Sequence, residues 1–208
     1  MHSPVCPAFI HESAHAMVYD ALDVPLKSIR VDINFGVPSG ITERVSDATL
    51  DMPSKILEFM AGAAALVGIC GFQFEEKLHT FTSDLCVMLR HKPELDIRIS
   101  DDEKSMVHLA RCRQAAELFV RTWVLQYRRP ILRLSAALMQ SEVSNNKYAL
   151  EGDKLAVSIS SAWRGIKPDS KDTVTFAREG WRSLPAGIDI GLGWQTYVMD
   201  RCKAWAAK

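Results

Sequence analysis

The run Phe9-Ile10-His11-Glu12-Ser13-Ala14-His15-Ala16-Met17-Val18, near the start of the chain, contains the pattern H-E-x-x-H. On a helix, residues four apart lie on the same face, so the imidazoles of His11 and His15 can bind one zinc ion. Glu12 is rotated about 100° from His11, which directs its carboxylate toward a water molecule on the metal. This pattern is typical of the core of a zinc peptidase site.

Apolar residues recur at helical spacing around the motif. They are Phe9, Ile10, Ala14, Met17, Val18, Ala21 and Leu22. This spacing predicts an amphipathic helix that begins after Pro7. The alternative interpretation is an exposed or core helix whose two histidines are four residues apart by coincidence. The helical flanks favour the zinc site.

The chain has 208 residues, enough for a hydrophobic core and for one domain, or one domain with an appendage. Lys plus Arg and Asp plus Glu number 25 each. Because there is no basic surplus, we expect neither nucleic acid nor a membrane as a partner. The longest apolar stretch, Phe59 to Phe72, is too short for a transmembrane helix, and with so few residues before His11 we expect no signal peptide.

The cysteines indicate a reducing compartment. Five are scattered along the chain without a C-x-x-C pair: Cys6, Cys70, Cys86, Cys112 and Cys202. An odd number does not make a closed set of disulfides, so we expect free thiols and a cytoplasmic location.

The rest of the pattern predicts a mainly α fold with a small antiparallel β-sheet after the motif helix. Apolar and polar residues alternate from Leu26 to Thr42, which predicts that sheet or a hairpin. A second helix, capped by Ser54 and running to about Cys70, is apolar almost all round and is expected at the centre of the packing.

Further helices are predicted downstream. They are a third helix over residues 82–90, a long helical region from Asp101 that Pro130 kinks or restarts, and a last regular helix near Glu151 to Trp163. Asn145-Asn146 marks a turn before the last of these. Beyond Gly165 the pattern weakens.

A catalytic zinc ion takes three protein ligands and leaves a fourth position to water, so another side chain must join His11 and His15. The extended pattern H-E-x-x-H-x-x-G-x-x-H fails here, because Val18 and Ala21 occupy the places of its glycine and third histidine. The ligand must therefore come from a later part of the chain. The candidates are Glu58, Glu75, Glu76, His79, Asp84 and His91, and spacing alone does not choose among them.

At this point the chain resembles the FtsH-type zinc peptidase domain, which is otherwise found behind an ATPase module in membrane-bound proteases. The resemblance runs from about Phe9 to Ser160. It is carried by His11 to His15 (H-E-x-G-H in the family), Gly40-Ile41-Thr42 (Gly-Tyr-Thr), Gly62 to Leu66 (Gly-Arg-Ala-Ala-Glu), Thr82 to Leu85 (Ser-Asn-Asp-Leu), and the later stretches Tyr127 to Glu142 and Leu150 to Gly152.

The resemblance implies a helical zinc-peptidase domain over residues 1–164 and leaves residues 165–208 as a C-terminal appendage of unknown role. It also implies that Asp84, in the place of the family's metal-binding aspartate, is the third zinc ligand. The alternative for Asp84 is that its carboxylate simply favours the positive N-terminal end of its own helix.

Several supporting residues differ from the family's pattern. The glycine between the two histidines is Ala14, the arginine and glutamate of the alanine-rich helix are Ala63 and Leu66, and the glycine before the aspartate element is Thr80. Changes around conserved ligands can lower activity. The sequence also has no G-x-x-x-x-G-K-[ST] motif, so it has no P-loop with which to couple ATP hydrolysis to unfolding.

Taken together, these features predict a zinc-dependent metalloendopeptidase in which His11, His15 and Asp84 hold Zn²⁺. The ion lowers the pKa of its bound water and polarises the scissile carbonyl, while Glu12 takes the water's proton and passes it to the leaving amine. The expected substrate is a peptide or unfolded protein, bound as an added strand at an edge of the sheet. A separate ATPase would supply folded substrates. The resemblance suggests a homo-oligomer, since the family forms rings, although the ATPase portion that is missing here builds much of that ring.

Two other classes of function stay open. The first is a catalytically weak or inactive interaction or regulatory protein that keeps the peptidase fold, which the altered alanine-rich helix favours. The second is a zinc hydrolase of small amides, with the glycine- and tryptophan-rich tail closing its cleft.

Overall fold

The computed structural model describes residues 7–34, 36–45, 50–73 and 111–184. This part of the protein is mainly helical and has one small antiparallel sheet, which confirms the predicted fold class at that level. Helices and sheet share a core of buried side chains, among which Met17, Ile56 and Trp123 are fully enclosed. Within the described ranges, no helix combines the length and the hydropathy needed to cross a membrane.

Helix α1 (Pro7–Ala21) carries the H-E-x-x-H motif, as predicted, and includes Pro7, after which the sequence predicted its start. A proline is tolerated at this first position because the first N–H groups of a helix have no partner within it. The helix packs against two other helices and two strands, so most of its surface is buried. It therefore lies inside the protein, and its polar residues must find partners there.

Strands β1 (Leu26–Asn34) and β2 (Val37–Arg44) follow as an antiparallel hairpin, which confirms the predicted sheet. Gly36 in the turn has φ +77°, a conformation that glycine adopts without strain. The register pairs Val31 with Gly40. Strand β2 also packs against α1.

A second hairpin completes the sheet in the order β2-β1-β4-β3, with β3 (Glu142–Ser144) and β4 (Lys147–Glu151). Its turn is the predicted Asn145-Asn146, where Asn146 has φ +59°. The strands on either side of this turn were not predicted. They span only three and five residues, too few for alternation to be read from the sequence.

Helix α2 (Met52–Gly68) is buried along most of its length, as predicted. Its cap differs from the prediction: Asp51, not Ser54, is the N-cap, and its side chain accepts a hydrogen bond from the Ser54 backbone N–H. Pro53 explains the difference, since a proline fits the first turn of a helix and so places the start ahead of Ser54.

The long helical region is described from residue 111. Residues 111–115 are helical and lead through a π-helical turn (Ala116–Val120) into α3 (Arg121–Gln126), after which Tyr127 leaves the helical conformation and α4 (Arg128–Met139) begins. Pro130 lies in the first turn of α4, which confirms the predicted restart. The start at Asp101 and the predicted helix over residues 82–90 lie outside the described residues.

Helix α5 (Gly152–Trp163) matches its prediction, but it is not the last regular helix. Helix α6 (Ser170–Arg182) follows, capped by the Asp169 side chain, and packs on α2 and on the π-helical turn. Asp169 as a cap, with Val174, Ala177 and Trp181 at helical spacing, is the signal that could have predicted it. The division of the chain at residue 164 stays a prediction, although α6 adds buried contacts to the preceding domain.

We predict that Gly180→Ala destabilises the protein. A Cβ atom at residue 180 would lie 2.5 Å from Cγ of the buried Phe119, so α6 would have to move away from the π-helical turn. The expected loss in the free energy of unfolding is about 1–3 kcal/mol, measured by urea denaturation. Thr175→Ala, an exposed change on the same helix, should stay within about 0.5 kcal/mol of the wild type. A Gly180→Ala protein of unchanged stability would contradict this packing.

Candidate metal centre

Helix α1 brings His11 and His15 together, as its spacing predicts. Their Nε2 atoms are 3.1 Å apart, and the rings meet edge to face. Two nitrogens bound to one tetrahedral zinc ion at about 2.0–2.1 Å would be about 3.3 Å apart. The observed separation is that of a direct hydrogen bond between the two rings, and it lies about 0.2 Å below the separation expected around one shared ion.

His15 is held in one orientation by α2. Its Nδ1–H donates to the backbone carbonyl of Glu58 at 2.8 Å, which leaves the Nε2 lone pair directed at His11. Burial lowers the pKa of His15 from 6.5 to about 4, although this hydrogen bond opposes the shift. At neutral pH the ring is uncharged, which is the state in which histidine binds metals.

His11 lies against a gap in the surface of α2. A Cβ atom on Gly62 would come within 2.3 Å of the His11 Cε1 atom, so the ring occupies the space that any other residue at 62 would fill. Burial, and then the neighbouring His15, hold the pKa of His11 well below 6.5, while a hydrogen bond with the Gly62 backbone acts in the opposite direction. Gly62 is thus the residue that lets helices α1 and α2 close around this ring.

Glu12 faces strand β2. The Thr42 hydroxyl donates to its Oε2 at 2.7 Å and also lies 3.1 Å from its backbone oxygen. The other carboxylate oxygen, Oε1, is 3.9 Å from His11 Nε2. A Cβ atom on Gly40 would come within 2.5 Å of Glu12, so this second glycine makes room for the carboxylate. Burial raises the pKa of Glu12 to about 7, and the bond from Thr42 acts against that rise.

Glu58, one of the candidate third ligands, has a different role in the structure. Its side chain is fully buried, and Oε1 accepts a hydrogen bond from Arg44 Nη1 at 3.1 Å. The carboxylate also bonds the hydroxyl of Tyr19, whose pKa is raised by burial and then by the Glu58 charge. No role for Arg44 or Tyr19 was predicted from the sequence. A glutamate inside an apolar helix was the available signal, because a buried charge requires a partner.

Among the described residues, no third metal-ligating side chain joins His11 and His15. In the ranges 7–34, 36–45, 50–73 and 111–184, no group of three or more His, Cys, Asp or Glu side chains is placed to hold a metal ion. The predicted ligand Asp84 lies outside these ranges. So do the other candidates, Glu75, Glu76, His79 and His91.

The chain matches no protein-family model, and a search of curated proteins finds no match either. The resemblance to FtsH-type peptidases therefore rests on the short motifs quoted above. Two of them take part in the site: Gly40 and Thr42 contact Glu12, and Gly62 accommodates His11.

We predict that Gly62→Ala weakens zinc binding. Alanine favours helix formation by about 1 kcal/mol over glycine, yet its methyl group would displace the His11 ring. Zinc affinity, measured by competition with a chromophoric chelator, should fall by at least about tenfold. Gly68→Ala is the matched control at the end of the same helix, where the nearest atom to the new Cβ is the flexible Arg121 Cγ at 3.2 Å. Equal zinc affinities in both variants would contradict the close packing of His11.

We also predict opposing effects of pH on the stability of the metal-free protein. Between pH 6.5 and about 4, His15 binds a proton in the unfolded chain but not in the folded protein. Lowering the pH through this range therefore reduces the free energy of unfolding. Between pH 4.5 and about 7 folded Glu12 keeps a proton that the unfolded chain releases, so stability falls as the pH rises. Glu12→Gln removes the second effect. Urea unfolding from about pH 5 to about pH 6.5 should therefore show a steeper gain in stability in the variant than in the wild type. Parallel pH curves would contradict the raised pKa of Glu12.

Proposed function

We propose that the protein is a zinc-dependent endopeptidase of the FtsH type. His11 and His15 supply two ligands, Asp84 supplies the third, and Glu12 is the general base. The observation that carries the proposal is the approach of two uncharged imidazoles to 3.1 Å with a buried carboxylate alongside. The Glu58 carbonyl supports this proposal because it engages the Nδ1 of His15 and leaves the Nε2 atom on the side of His11.

The residues present suit zinc. Both imidazoles are uncharged at neutral pH, and the Nδ1 of His15 is engaged so that its Nε2 can bind the ion. When bound, the ion acts as a Lewis acid that polarises a carbonyl and makes water more acidic.

Glu12 performs the proton transfer in this proposal. Its carboxylate takes a proton from the attacking water and passes it to the nitrogen of the leaving amine. A pKa of about 7 suits both steps, because the group is able to accept and to release a proton near neutral pH. Thr42 holds Oε2 on the side of β2, which leaves Oε1 as the oxygen nearer His11.

Strand β2 supplies the proposed substrate edge. The N–H of Ile33 in β1 donates to the backbone oxygen of Asn146, on the side of β4. Because main-chain groups point to alternate sides along a strand, the residues next to Ile33 in β1 direct theirs toward β2. The register then turns the main-chain groups of Gly40 and Thr42 outward, together with Pro38, which has no N–H to offer. Among the described residues no strand pairs with this edge. A peptide added there would run beside Glu12, because Gly40 and Thr42 both contact that residue.

An interaction protein with the peptidase fold is the second candidate. The observation that favours it is the apolar character of α2, where Ala63 and Leu66 are buried at positions that carry charges in the resembled family. The ion pair between Arg44 and Glu58 nevertheless provides a buried charge arrangement next to the site. We therefore favour the peptidase. A peptide or unfolded protein as substrate, delivery by a separate ATPase and a cytoplasmic location are parts of the same proposal.

Zinc content and peptide cleavage, measured on the same samples, test the proposal. The wild type should hold about one zinc ion per chain and cleave unstructured casein. Glu12→Gln should keep the zinc and lose at least about 10²-fold in cleavage rate. His15→Ala should lose both. Zinc without cleavage of casein or of a peptide library would favour the interaction protein, and absence of zinc affinity would overturn both functions.

The third ligand is tested by the same measurements on three further variants. Asp84→Ala should lose zinc, whereas Glu75→Ala and His91→Ala, which replace other candidates, should retain it. Retention of zinc in Asp84→Ala and loss in either of the others would reassign the ligand without changing the class of the enzyme.

A further inference from the structure

The ion pair between Arg44 and Glu58 connects the three elements that form the metal centre. Glu58 lies on α2, Arg44 is the last residue of β2, and Tyr19 lies on α1, one turn after His15. Arg44 Nη1 is 3.1 Å from Glu58 Oε1, and the guanidinium lies 5.9 Å from the centre of the Tyr19 ring. One buried carboxylate thus contacts both the helix of the ligands and the strand of the substrate edge.

The same residue orients a proposed ligand. The backbone carbonyl of Glu58 accepts the Nδ1–H of His15, so any shift of this turn of α2 also moves the acceptor that aims the imidazole. The side chain of Glu58 fixes the position of the turn through Arg44. On strand β2, Arg44 follows Thr42 on the same face, and Thr42 holds Glu12.

Stability alone does not explain a charge pair in this place. Glu58 has no exposed surface and Arg44 side-chain exposure is 16%. A well-packed apolar pair of similar size is often as stable as a buried ion pair or more so, because the charges must be removed from water. What an apolar pair lacks is direction: a guanidinium bonded to a carboxylate holds its elements at a defined distance and angle.

We propose that Arg44 and Glu58 are positioning residues, which hold the α2 turn that aims His15 and thereby set the zinc affinity of the site. The inference rests on the proposed function for the identity of the metal. It concerns the orientation of His15 in the metal-free protein as well, and this orientation can be measured separately.

The experiment compares an apolar replacement of the pair with a matched surface pair. Arg44→Met combined with Glu58→Leu removes both charges of the buried pair. The control, Arg30→Met combined with Glu151→Leu, removes an exposed pair on the same sheet, which is joined by a 2.9 Å hydrogen bond. Thermal unfolding reports the fold, chelator competition reports zinc affinity, and ¹⁵N-edited NMR of the metal-free protein reports the His15 Nδ1–H.

The buried double variant should unfold at or above the wild-type temperature, bind zinc about 10- to 100-fold more weakly and lose the slowly exchanging His15 Nδ1–H signal. The surface variant should match the wild type in all three measurements. Wild-type zinc affinity and an intact His15 signal in the buried double variant would overturn the proposal, as would a loss of stability alone.

Arg44→Lys provides a test that does not depend on the double variant folding. It keeps the charge but loses the planar fork, so zinc affinity should fall several-fold while the melting temperature changes little. An unchanged affinity would overturn the proposal. If the wild type binds no zinc at all, the proposed function fails, yet the His15 signal in wild type and variants still decides whether the pair positions this ring.

Discussion

The burial of helix α1 is the constraint on which the rest of the structure depends. A helix covered by two helices and two strands cannot leave its polar groups to water, yet α1 carries two histidines and a glutamate. Each is therefore met by a specific partner: the carbonyl of Glu58 for His15, the backbone of Gly62 for His11 and the hydroxyl of Thr42 for Glu12. The same burial lowers the pKa of both histidines, so that they are uncharged at neutral pH, and raises the pKa of Glu12 to about 7.

Close approach of the neighbouring backbones is the second requirement. Gly62 on helix α2 and Gly40 on strand β2 both face α1, and each accommodates a side chain of the H-E-x-x-H motif in the place of its own missing Cβ. Neither glycine is needed for an unusual backbone angle, since neither has a positive φ. They are needed because they lack a side chain, whereas Gly36 is needed because its turn requires a positive φ.

Features with a local signal were predictable from the sequence. The helical period around His11, the alternation after Leu26 and the proline at 130 each act over a few residues, and the structure confirms the elements that they predict. The pairing of Arg44 with Glu58 was not predictable, because it depends on how β2 is placed beside α2 rather than on spacing along the chain. Likewise, the strands beside Asn145-Asn146 were not predictable, because β4 forms by pairing with β1, which is more than 100 residues away in the sequence.

The order of strands in the sheet has a consequence for biosynthesis. Strand β1 pairs with β2 immediately after it, but its other edge is closed by β4, so that Arg30 meets Ala149. Because a nascent chain emerges N-terminus first, α1 and the first hairpin are made long before α4 and β4, which cover them. Contacts between such distant segments are slow to form. The histidine-bearing helix is thus synthesised before the later helix that covers part of it, and this part of its apolar face has no partner until α4 has been made.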